Sequence, residues 1–70
     1  MKRVDLIREI ADAAREKGVT WRFGRHGSDH DIWYCSAIRV PIPRHREVSE
    51  GVVDRIRRDL EAVLGTRWWM

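Results

Sequence analysis

Apolar residues recur at three- and four-residue steps near the start of the chain. Leu6, Ile7, Ile10, Ala13 and Ala14 form one stripe, while Arg8, Asp12, Arg15 and Glu16 fall off it. That period predicts an amphipathic helix over Val4 to Lys17. Gly18 stands where a left-handed cap would close it, with Lys17 in the last turn. The period then drops to two. Val19, Trp21 and Phe23 alternate with Thr20 and Arg22, the pattern of a half-buried strand. Gly24 to Ser28 is punctuated by two glycines and predicts a turn.

His30 to Cys35 is rich in β-formers (Ile32, Trp33, Tyr34) and predicts a second strand, whose inward face could carry either Ile32 and Tyr34 or Trp33 and Cys35. After a tight Ser36-Ala37 connection, Ile38, Val40 and Ile42 alternate with Arg39 and Pro41 in a third strand. Proline gives no hydrogen to a ladder, so Pro41 belongs at a sheet edge, and Pro43 ends the strand. Ser49 fits the N-cap of a second helix, with Glu50 in its first turn and Val48 able to pack on Val53 as a staple. Val53, Ile56, Leu60, Val63 and Leu64 make its stripe, and Gly65 closes it. The aromatic tail, residues 66–70, is expected to lay Trp68 and Trp69 over the end of that helix; anchoring a partner is the other role open to them.

The expected fold class is therefore α+β, in the order α-β-β-β-α. Short connections make an antiparallel three-stranded meander. Both helices must bury their stripes, and one sheet face offers the only large apolar surface, so two helices pack on that face. Seventy residues allow a single domain with a modest core.

Composition changes this picture in two ways. No stretch approaches the ~20 apolar residues of a membrane span, and charged residues follow Met1 at once; the expectation is a cytoplasmic protein without membrane contact. Cys35 is the single cysteine, so no intrachain disulfide forms, which suits a reducing compartment. The net charge of +3 decides little, but its distribution does. From Arg22 to Arg46 the chain carries five arginines and all three histidines against Asp29 and Asp31 alone. A basic middle between near-balanced helices favours a polyanionic partner, the alternative being a solvated arginine-rich surface.

His30 is the candidate for chemistry. An imidazole, with an ordinary pKa near ~6.5, can accept and return a proton at neutral pH. A strand mouth after a glycine turn gives a fixed backbone with solvent access; a strand-end histidine with no role is the plainer alternative. Gly27 and Ser28 could let a phosphate approach backbone N–H groups, or simply form a turn. Arg25, Arg39, Arg44 and Arg46 could hold phosphates, and His45 lies among them; keeping an edge strand soluble is the competing role for the 44–46 run. Tyr34 or Trp33 could stack on a base or pack in the core. His26, His30, Cys35 and His45 could in principle ligate a metal, but no zinc-type spacing joins them, and neither metal nor cofactor is expected.

These residues resemble the HicA-type mRNA interferase toxins, the YcfA-like family, from about Leu6 to Gly65. Gly18 closes the first helix nine residues before Gly27. Gly27-Ser28-Asp29-His30 is similar to the family's Gly-Ser/Gly-x-His signature, and Val40-Pro41-Ile42-Pro43-Arg44-His45 to its Val-Pro-x-x-His strand end. Gly51 opens a helix as the family's second helix often begins. The resemblance implies a double-stranded-RNA-binding-domain-like fold. It implies a type II toxin–antitoxin toxin: a metal-independent endoribonuclease that cleaves mRNA, arrests growth and is neutralised by a HicB-type antitoxin. It maps the catalytic histidine onto His30, leaves substrate or partner contact open for His45, which could also protonate the leaving oxygen, and implies no direct DNA binding by this chain. A non-catalytic RNA-binding module and an antitoxin-docking domain are the alternatives. The chain departs from the family in a longer second helix, in the Trp68-Trp69 tail and in the carboxylate of Asp29.

Overall fold

The computed structural model of the protein describes residues 1–70. Helix α1 spans Arg3–Lys17, strands β1, β2 and β3 span Trp21–His26, His30–Cys35 and Ile38–Pro43, and α2 spans Glu50–Asp59 with a further turn, α3, at Glu61–Leu64. The sheet is antiparallel in the order β1-β2-β3, so the longest connection within it is a simple hairpin. This is the expected α+β arrangement.

The helix-facing side of the sheet is fixed by register. Residues directly opposite in an antiparallel pair share a face. Trp21, Cys35 and Ile38 line up across the strands, as do Phe23, Trp33 and Val40, and then His26, Asp31 and Ile42. Cys35, Val40 and Ile42 from that face join Leu6, Ile10 and Ala14 of α1 and Val53, Ile56, Leu60 and Leu64 in one buried cluster. The open choice on β2 thus falls to Trp33 and Cys35. Trp21 and Trp33 of the same face pack against this cluster. Trp21 stacks on Trp33 at 4.7 Å between ring centroids, and Phe23 meets Trp33 edge-on at 5.4 Å.

The ends of the elements follow local chemistry. Gly18 adopts a left-handed φ of 70° and its N–H caps the carbonyls of Ala14 and Arg15. Ser49 Oγ accepts from the Val52 N–H at 3.4 Å, and Val48 and Val53 are both buried beside that cap. A bidentate pair, Arg57 to Glu9 at 2.7 and 2.9 Å, ties α2 to α1. The Trp68 indole N–H donates to the Arg57 carbonyl at 2.8 Å, folding the tail over the helix end as its composition suggested.

Two expectations change. The second helix is interrupted at Leu60, which with Leu64 is fully buried; both leucines stay on the predicted stripe, and no glycine or proline marks the break. The first strand starts later and runs further, Trp21–His26 in place of 19–23, because Gly24 is not part of a turn. It is a β-bulge: the register shifts between Phe23 and Arg25. A Cβ there would lie 2.6 Å from the Tyr34 ring and 2.7 Å from the Ile32 carbonyl oxygen, so only glycine lets the strand continue at this spacing.

Candidate nucleic-acid interface

The sheet's other face carries no helix. Arg22, Tyr34 and Arg39 cross it in one row, Arg25, Ile32 and Pro41 in the next, and His30 with Pro43 at the end. Strict alternation would put Arg25 on the same side as Phe23. The extra residue at Gly24 reverses the parity, turning Arg25 to the open face and His26 to the helix-facing side. The Arg22 guanidinium lies 4.5 Å from the centre of the Tyr34 ring, so Tyr34 presents an aromatic surface already stacked with a cation.

At the turn end of this face is an open hollow of about 270 Å³. Ile32 and Pro41 form its floor, Arg25 and Arg39 its sides, and the 27–29 turn with His30 its rim. His30 is exposed, and its imidazole makes no hydrogen bond to the rest of the protein. The Gly27 N–H is committed to the His30 carbonyl at 2.7 Å, and a Cβ on Gly27 would come within 2.6 Å of that oxygen. The amides of Ser28 and Asp29 on this rim donate to no backbone carbonyl.

Of the residues expected to act together, His30, Arg25, Gly27, Ser28 and Arg39 are brought to this hollow. Arg44, His45 and Arg46 follow the end of β3 and are exposed, but do not line it. Arg44 is engaged elsewhere. Its Nη2 donates to the carbonyls of Gly27, at 2.7 Å, and Ser28, and its Nη1 lies 3.6 Å from Asp31 Oδ1.

The pattern did not reveal the cluster behind the rim. Asp31 is the buried charged residue of the chain. Its Oδ1 meets His26 Nδ1 at 2.7 Å, and its Oδ2 accepts from Arg3 Nη2 at 2.6 Å. Arg3 Nε also donates to the Pro43 carbonyl at 3.0 Å. The hydrogen bond from His26 holds the Asp31 carboxyl below its ordinary pKa, against the upward push of burial, and the charges of His26, Arg3 and Arg44 act in the same direction as that bond. A signal for it did exist in the sequence: a carboxylate on a central strand, among apolar residues, demands cations. No group of three or more His, Cys, Asp or Glu side chains converges as a metal site, and no helix is long and apolar enough to cross a membrane. Cys35 is buried, and burial raises its thiol pKa, so it is a packing residue.

No protein-family model, curated protein or solved structure matches this chain.

Proposed function

We propose that the protein is a small metal-independent endoribonuclease of the HicA type, with His30 as its base. The observation that carries this reading is the exposed His30 imidazole on the rim of a hollow with Arg25 and Arg39 at its sides. His30 takes the proton of a ribose 2′-OH, and the freed O2′ attacks the adjacent phosphorus. The P–O5′ bond breaks, leaving a 2′,3′-cyclic phosphate and a 5′-hydroxyl. The departing oxygen takes its proton from water at the open mouth, since His45 does not line the hollow. Arg25 and Arg39, with the amides of Ser28 and Asp29, hold the phosphate oxygens as negative charge builds on them.

A positioned base contributes about 10²–10⁴-fold. His30→Ala is therefore expected to lower cleavage of mRNA at least about 100-fold, with circular dichroism unchanged, and to relieve growth arrest when the chain is expressed. Cleavage by the unsubstituted protein should persist in chelator. A His30→Ala variant that cuts RNA at the original rate removes the basis of the reading.

A second reading has its own support: the hollow holds one imidazole, with neither His26 nor His45 in its lining, which also suits an RNA-binding module without cleavage. Prolonged incubation separates the two, because the module leaves RNA intact. In either reading the arginine-rich open face suits an acidic protein inhibitor, the HicB-type antitoxin of the proposed system. Such an inhibitor would compete with RNA for Arg22, Arg25 and Arg39.

A further inference from the structure

Asp31 follows His30 on β2 and, by the alternation of the strand, occupies the opposite face. It is bonded to α1 through Arg3, to the end of β1 through His26, and lies beside the guanidinium of Arg44. Arg44 in turn engages the turn at every carbonyl. Its side chain donates to those of Gly27 and Ser28, and its own N–H to that of Asp29 at 3.4 Å. The turn so gripped is the rim of the hollow, and its first residue donates to the carbonyl of His30. Arg3 and Arg44 both point at one carboxylate. Neutralising that carboxylate would leave the charges of the two guanidinium groups without their shared counter-charge, which weakens the hold on the exposed one, Arg44.

We propose that Asp31 is the positioning residue of the hollow, acting through Arg44 to fix the 27–29 turn against which His30 is presented. This rests on reading the hollow as the RNA site. Arg44 then serves the protein's own carbonyls and not a substrate phosphate, which explains why it stands outside the hollow.

Two variants test it, Asp31→Asn and Arg44→Gln, the second at an exposed residue whose loss the core does not feel. In each, hydrogen exchange at the Gly27 amide should rise about tenfold or more, while exchange at Leu64 in the core stays unchanged. On a short RNA, kcat should fall about 10–100-fold as His30 loses its place, with KM changed by less than about threefold, and the double variant should be no slower than the worse single one. Exchange at Gly27 like that of the unsubstituted protein in both variants overturns the proposal. So does faster exchange with kcat unchanged, and so does Arg44→Gln raising KM at constant kcat, which would make Arg44 a substrate contact. If Asp31→Asn does not fold, Arg44→Gln decides. If the unsubstituted protein cuts no RNA, the proposed function fails, and the exchange measurement alone still rules on the link from Asp31 to the turn.

Discussion

At the scale of single residues, Asp31 ties part of the protein's stability to pH. Its pKa is lower folded than unfolded, because His26, Arg3 and Arg44 favour its charged form. A group with a depressed pKa contributes stability that is fully present above its unfolded value, about 3.9 for Asp, and lost as pH falls through the folded value. Urea denaturation as a function of pH should therefore show the unsubstituted protein more stable than Asp31→Asn at neutral pH. The difference should shrink below about pH 4. A difference that stays constant down to pH 2 would mean that the carboxylate's charge contributes nothing. The same residue shows where the sequence was hard to read. Histidine 30 stood out because its chemistry is exposed, whereas Asp31 matters through partners as distant in the chain as Arg3.

At the scale of elements, the bulge in β1 decides the character of both faces. Gly24 looked like the start of a turn, because a glycine followed three residues later by another punctuates most sequences that way. It is the close approach of Tyr34 and the Ile32 carbonyl that demands glycine here. Gly24→Ala should cost roughly 2 kcal/mol through overpacking, a fall in melting temperature of about 10 °C for a domain of this size. RNA affinity measured below that melting temperature should also fall, because a strand that relieves the clash by shedding the bulge returns Arg25 to the helix side. A variant that melts and binds like the parent would show that the bulge is not needed. The other elements were legible because each carries its own punctuation: Gly18 after α1, Ser49 before α2, Pro43 at the end of β3. The interruption at Leu60 has no such mark, neither glycine nor proline standing near it.

At the scale of the whole molecule, the sheet divides charge from core. Helices cover one face, and the other exposes Arg22, Arg25 and Arg39 around Tyr34 and His30. Adjacent strands are about 4.8 Å apart, so Arg22 and Arg39 stand roughly 10 Å apart on either side of Tyr34. If these three arginines meet phosphates, the slope of log K against log salt for a single strand should be roughly −2, about −0.7 for each contact. Arg39→Gln should make it shallower by about 0.7, while Arg46→Gln, beyond the hollow, should leave it unchanged. Equal effects from both would indicate diffuse attraction to a basic surface and no defined track.

The sequence by itself determined the order of the elements, the antiparallel meander, the packing of both helices on one face and the exposed histidine. Periodicity and capping are properties of neighbouring residues, and they act before any distant contact forms. Only the tertiary structure decided that Arg25 joins Arg39 across the hollow, that Arg44 turns back to hold the 27–29 carbonyls, and that His26 and Arg3 converge on Asp31. Those outcomes depend on one extra residue in a strand register and on a buried charge collecting its counter-charges from three elements. Neither is written in the spacing of residues along the chain.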